Sequence, residues 1–412
     1  MEPEAQQVKS SIGHRIYFVL ICGIALLIPF HNILPSPMLI LTFLSILITG
    51  EYATKWKRIT SNKRFLLFAA IYIPAVYGYF LSSNTTIAGH DLQVRLYALL
   101  IPIFFTLAGP LSKKELRRLL SCYVISSVLF ALTAIVVAIW RYPDIGAQAF
   151  YYKELVSFTF IHPSYAAMFL VFAVMLVSAE LVTRWEEITS GNRIIYILFM
   201  LLLSLIVLLL TAKLAIACLF IVISLAVFVW GKKNYNTTKA ILILISLNIA
   251  MFIAMMMLPY TRERMQMLLH YKETSYSNSV DSREQIWHSA IQVASDHLIV
   301  GIGTGDAEDM LVSQYAANQF ETGVQERYNC HNEYLQVLVD TGLPGLIFFL
   351  LVLTGCFRLA FIDKNYLWMA FLLLFAINII TENMLRTQSG IVFFSFFNAL
   401  LGLHSGRKQA GV

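Results

Sequence analysis

Apolar and polar positions alternate along this chain in whole segments. Apolar runs lie near residues 16–33, 37–50, 65–82, 93–110, 119–140, 164–183, 194–210, 214–230, 240–258, 344–361, 366–381 and 390–404. Runs of this kind suit helices that cross a bilayer, and several are short enough to need tilting or thinning at their ends. The pattern predicts an all-α, polytopic transmembrane protein of about 12 helices. Between the ninth and tenth runs it breaks into one long polar interruption. Three domains follow: 1–258 with spans one to nine, 259–342 as a helical extracytoplasmic loop, and 343–412 with spans ten to twelve and a short tail. Inside the loop, the 3.6-residue period predicts helices over Thr261 to His270, Arg283 to about His297 and Asp306 to about Asn318.

Polar chemistry concentrates between Asp281 and Gly345, where a folded site has room outside the membrane. Ser282-Arg283-Glu284-Gln285 reads as a capping box, with Arg283 in a first helical turn. His331-Asn332-Glu333-Tyr334-Leu335 opens a short apolar helix, and Gly342-Leu343-Pro344-Gly345 is expected to stop that helix and return the chain to the membrane. A guanidinium and an imidazole are thus expected at two helix starts.

Composition agrees with the membrane reading: 58% of residues are hydrophobic and 13% charged, with mean hydropathy +0.70, well away from the averages of soluble domains. With the N-terminus inside, 20 of the 30 Lys and Arg fall in cytoplasmic segments, so the positive-inside rule predicts N-in and C-in, with the long loop outside. The first span lacks a small-residue cleavage site and reads as a retained helix. Cys22, Cys122, Cys218, Cys330 and Cys356 have neither disulfide nor zinc spacing.

The remaining cations stand out because they lie on the outer side. Lys213, in Thr211-Ala212-Lys213, interrupts an apolar run too long for one span; it either snorkels at a hairpin or binds a ligand. Arg95, Arg141 and Arg386 each sit at an outer helix end, where anchoring at headgroups is the plainer role. Together with Arg283 they suggest an anionic ligand, and a lipid diphosphate fits because guanidinium engages phosphate oxygens in pairs. His331 is either a general base or a helix cap. Gly301-Ile302-Gly303-Thr304-Gly305 offers an amide nest or a plain loop, and the loop histidines match no zinc pattern. The early outer loops offer no acidic pair for a divalent cation. No metal and no cofactor are expected, and no nucleic acid.

Three blocks resemble the O-antigen ligase and polymerase superfamily of polytopic inner-membrane proteins. They are His162-Pro163-Ser164-Tyr165-Ala166-Ala167 at a span start, Leu210-Thr211-Ala212-Lys213 at a hairpin, and a loop series. The loop series runs Ser282-Arg283-x-x-Ile286-Trp287, Gly301-x-Gly303-x-Gly305, His331-Asn332-x-x-Leu335 and Gly342-x-x-Gly345. The ordered set covers about residues 155–355. The hairpin usually carries arginine in that family, whereas here it carries Lys213, which keeps the charge and loses the fork.

The resemblance implies metal-independent transfer of a glycan from an undecaprenyl-diphosphate carrier to an acceptor hydroxyl at the periplasmic face of the bacterial inner membrane. Arg283 and Lys213 would hold the diphosphate, joined by Arg95, Arg141 and Arg386, and His331 would act on the acceptor, with Arg283 counted as catalytic too. His162, Asn332 and Tyr334 are supporting candidates. The expected partners are the carrier-linked glycan, a lipid A-core or other glycan acceptor, and membrane lipids. The expected activity is that of an O-antigen ligase, with a repeat-unit polymerase as alternative and a lipid or polysaccharide transporter as the alternative of another class. The transporter fits less well because no repeats or paired broken helices are visible.

Overall fold

The computed structural model describes residues 2–30, 35–263 and 279–404. Among these there are helices and no strands, so the all-α class holds. In chain order the helices are α1 (Glu2–Leu27), α2 (Pro35–Ile48), α3 (Tyr52–Ser61), α4 (Arg64–Ala69), α5 (Ile73–Leu81), α6 (Thr85–Arg95), α7 (Tyr97–Ala108), α8 (Lys113–Ile145) and α9 (Tyr152–Leu155). There follow α10 (Pro163–Arg184), α11 (Ser190–Leu209), α12 (Lys213–Asn234), α13 (Thr237–Met257), α14 (Ser279–Asp296), α15 (Ala307–Ala317) and α16 (Glu321–Glu326). The chain ends with α17 (Glu333–Ile362), α18 (Tyr366–Asn378) and α19 (Gln388–His404).

Eight helical segments among the described residues are long and apolar enough to cross a membrane, or nine if the pair α2 and α3, bent by 115°, counts as one. Three shorter apolar helices, over Ile12–Leu27, Tyr366–Asn378 and Gln388–His404, lie where the sequence predicts spans one, eleven and twelve. The expected helix over Thr261 to His270 lies largely outside the described residues, as does most of the first outer loop, from His31.

Contacts divide the chain into two units, a different partition from loop against membrane. The first joins Met1–Ile24, Ile33–Leu116 and Ser275–Val412; the second joins Ala25–Asn32 and Arg117–Thr274. At the centre of the first is α19, whose residues from Gly390 to Gly402 are all buried and which packs on α7, α18 and α4. Between Ile391 and Leu401 four residues are phenylalanine and five are aliphatic, with Ser395 and Asn398 as the polar ones, so the helix is nearly apolar all round and has no face to offer water. In the second unit α10 has the same character, with Tyr165 to Ser178 buried without a break and α11 and α12 packed on it.

The helical cap between α13 and α17 belongs to the first unit from Ser275 on. Ile286, Ala290, Val293 and Ala294 of α14 meet Ala307, Leu311 and Tyr315 of α15 in one core closed by Phe320, Cys330 and Val339. These spacings of three and four residues line one face of each helix. The sequence places α14 and α15 within a few residues of where they are. Ser282 is not the cap it was expected to be: α14 begins at Ser279, so Ser282 lies inside its first turn.

Gly342 breaks the helix where the sequence expects a stop. It leaves helical geometry at φ 64° and ψ −169°, so that α17 is two helices joined across a kink, the first ending at Gly342 and the second carrying the apolar half. The break lets another backbone come close. Leu343 N–H donates to Leu298 O at 2.8 Å, and a Cβ on Gly342 would meet Leu298 O and the Ile299 carbonyl carbon at 2.8 Å.

Candidate functional site

Arg283, Ile286 and Trp287 share one face of α14, as residues three and four apart must. Ile286 is buried in the cap core, and the indole N–H of Trp287 donates to Cys330 O at 3.1 Å. The motif that carries Arg283 therefore also pins the residue before His331. Arg283 Nη2 donates to Glu382 Oε1 at 3.1 Å, and Glu382 Oε2 lies 3.7 Å from His331 Nδ1. One carboxylate, its side chain 6% exposed, thus stands between the guanidinium and the imidazole, which are both 29% exposed.

Glu382 did not figure in the sequence reading. A lone carboxylate in a short loop between two apolar runs has no spacing signal, and only the fold brings it to α14. Its neighbour fixes it there: Asn383 Oδ1 accepts from Asn332 N–H at 2.7 Å, and Asn383 Nδ2 donates to Gln336 Oε1 at 2.8 Å. Gln336 Oε1 accepts from Cys330 N–H as well, at 3.1 Å. The backbone on both sides of the pair is tied to α17.

His331 does not cap that helix. Asn332 does, its side-chain oxygen accepting from Leu335 N–H at 3.1 Å, so the capping alternative for the histidine is removed and the motif His331-Asn332-x-x-Leu335 divides its labour. His331 takes a left-handed backbone at φ 42°, which histidine, like Asn and Asp, adopts more readily than most side chains. The ring is further set by an edge contact with Tyr328, at 5.6 Å between centroids. Tyr334 supports the wall behind it, its hydroxyl donating to Ala376 O at 2.9 Å.

Arg95 and Arg386, expected among the diphosphate cations, are turned inward. Arg386 Nε donates to Asp91 Oδ1 at 3.0 Å and its Nη2 to Thr304 O at 2.9 Å, with Asp340 Oδ1 3.6 Å from Nη1. Arg95 Nε lies 3.1 Å from Asp91 Oδ2 and its Nη2 3.8 Å from Asp340 Oδ2. Burial opposes the charge of Arg386, but Asp340 and Asp91 hold the guanidinium ionised, with a pKa above its usual range. A buried guanidinium among carboxylates is an internal tie.

The glycine run is a seam instead of an anion nest. Ile302 N–H donates to Val339 O at 3.0 Å, Gly303 N–H to Asp340 O at 2.8 Å, Thr304 N–H to Gly78 O at 3.2 Å and Gly305 N–H to Ser82 Oγ at 2.9 Å. Its amides are used up in holding the cap to α5 and α17. Gly301, at φ 81°, has the Gly342 and Thr341 amide nitrogens 2.5 Å from where a Cβ would be.

Lys213, Arg141 and His162 belong to the second unit. Lys213 is the first residue of α12, half-buried, and follows Thr211 at φ 53° in the tight hairpin the sequence requires. Arg141 pairs with Glu154, Nη2 to Oε2 2.8 Å, and donates to Ser157 Oγ at 2.5 Å. His162 caps α10, its Nδ1 accepting from Ser164 N–H at 3.4 Å.

No curated protein matches the chain. Residues 198–350 match a family model described as Wzy_C, O-antigen ligase. That stretch holds Lys213, Arg283 and His331, though neither Glu382 nor Arg386, and it supports a ligase- or polymerase-type function. That match supports the O-antigen ligase superfamily over residues 198–350.

Proposed function

We propose that this protein is an O-antigen ligase, transferring polysaccharide from undecaprenyl diphosphate to a lipid A-core acceptor at the periplasmic face of the inner membrane. The observation that supports this most is Glu382, which holds Arg283 and faces His331 at once. Arg283 gives one edge of its fork to Glu382 and keeps the other for a phosphate oxygen, so cation and base stand a carboxylate apart. The acceptor hydroxyl oxygen forms a bond to the anomeric carbon as the bond from that carbon to the diphosphate oxygen breaks. The electron pair leaves with the diphosphate, and Arg283 answers the charge that develops there. The hydroxyl proton passes to His331 Nε2, while Glu382 faces Nδ1 and steadies the imidazolium. Lys213 has the hairpin cation's role that the resemblance implies. Arg95 and Arg386 are reassigned from the diphosphate to the structural tie with Asp91 and Asp340. Arg141 stays a lesser diphosphate candidate, since Glu154 already engages it.

A repeat-unit polymerase shares this donor chemistry and differs in its acceptor. The lipopolysaccharide ladder of a strain lacking the protein separates the two. Core without O-chain, together with accumulated carrier-linked polymer, is the expected result. Core bearing a single repeat unit would assign the chain to polymerisation, and an unchanged ladder would overturn both readings.

A further inference from the structure

Within the second unit, α10, α11, α12 and α13 enclose an apolar cavity of about 470 Å³ whose only polar lining is serine hydroxyl and indole N–H. That is the size of a small-molecule site, far larger than the voids native packing leaves. Its wall on α11 opens outward: Ile197, Leu201 and Leu205 are 41%, 62% and 41% exposed. In a chain that spans the membrane, such an opening faces hydrocarbon. Water gains little there.

One end of the cavity has a different chemistry. The indoles of Trp185 and Trp230 meet edge to face at 5.3 Å, and Trp230 meets Tyr235 at 5.6 Å. Such rings are at home where headgroups meet acyl chains. The Arg193 guanidinium lies over the Trp185 ring, 4.6 Å from its centroid. Arg193 Nε and Trp230 Nε1 are both buried donors without a protein partner, and Ser204 Oγ is buried unpartnered further along the wall. Lys232 and Lys233 end α12 beside this cluster in sequence. A cation and two unsatisfied donors at the mouth of a hydrocarbon slot ask for an anionic headgroup with an attached chain.

We infer that this cavity binds a membrane phospholipid, an acyl chain lying between α11 and the other three helices and the phosphate set at Arg193 and Trp230. The isoprenoid donor is the less fitting occupant. Trp230 follows Lys213 by most of the length of α12, roughly 25 Å at the helical rise, so the headgroup end is remote from the hairpin cation. The inference does not depend on the proposed transfer reaction.

The test is mass spectrometry of lipid co-purifying with the full chain in mild detergent, for the wild type and two variants. Ala254→Phe narrows the slot and Arg193→Gln removes the headgroup cation. The expected result is a glycerophospholipid retained by the wild type and lost from Ala254→Phe. In Arg193→Gln, preference for phosphatidylglycerol over phosphatidylethanolamine should fall roughly tenfold, as losing one charge-assisted contact would give. No retained lipid, a retained polyprenyl phosphate, or a phospholipid held with equal preference by Arg193→Gln would overturn it. Should Ala254→Phe fail to fold, the Arg193→Gln comparison decides alone.

Discussion

Glu382 stands where two functions would otherwise compete. A guanidinium 3.1 Å from its carboxylate is oriented without being consumed, because the pairing engages a single nitrogen. Arg283→Ala should therefore leave the protein folded and inserted yet lower transfer by roughly 10²–10³-fold, the usual effect of losing one donor to developing negative charge. Membrane-fraction immunoblots beside ladder analysis would check both halves. Cys330 gives a second residue-scale expectation. It is fully buried against the cap core, and burial pushes its thiol well above the usual range. Maleimide at neutral pH should leave Cys330 unlabelled until denaturant is added, since the thiolate is the reacting form; labelling of the native protein at that site would contradict the packing described.

Among elements, the seam from Gly301 to Gly305 joins the cap to α5 and α17 through its backbone amides, three of them given to backbone carbonyls and one to the Ser82 hydroxyl. Gly301→Ala would drive a Cβ into three backbone atoms within 2.6 Å, whereas Gly50→Ala, also at positive φ, meets nothing within 4 Å. The second should cost about 1–2 kcal/mol from its backbone conformation, and the first clearly more. Melting temperatures in detergent would rank them. The buried ties predict a similar contrast. Arg386→Gln leaves Asp91 and Asp340 with Arg95 alone, and a lost partner in a buried ion cluster costs about 3–5 kcal/mol. Depleted folded protein is expected; normal stability with lost transfer would return Arg386 to the diphosphate. The same elements mark how far sequence could reach. Periodicity located α14 and α15, and the order of blocks singled out Arg283 and His331, because both signals are local. Glu382 stands in a loop 99 residues from Arg283, and Asp91 lies 295 residues from Arg386. Nothing in the spacing of such a carboxylate tells which distant cation the fold will bring to it, whereas Asp91 and Arg95, four residues apart on one helix, form a pair that spacing does show. The cap, which the sequence leaves open as an alternative for His331, belongs to Asn332.

At the scale of the molecule, apolar runs predicted where the helices lie more closely than how long each is. Spans eleven and twelve correspond to helices of 13 and 17 residues, shorter than a typical crossing of about 20. Reporter fusions at Lys63 and Gln314 should give opposite sidedness if the N-terminus is inside; the same sidedness would refute that topology. The most direct measurement of the proposed reaction uses the purified chain in vesicles with undecaprenyl-diphosphate-linked polysaccharide and lipid A-core, in the presence of EDTA. Transfer to the core by the wild type, its loss in His331→Ala and Arg283→Ala, and release of undecaprenyl diphosphate in step with product are predicted. Transfer that stops with EDTA and returns with magnesium, or that persists at near-normal rate in His331→Ala, would contradict the account.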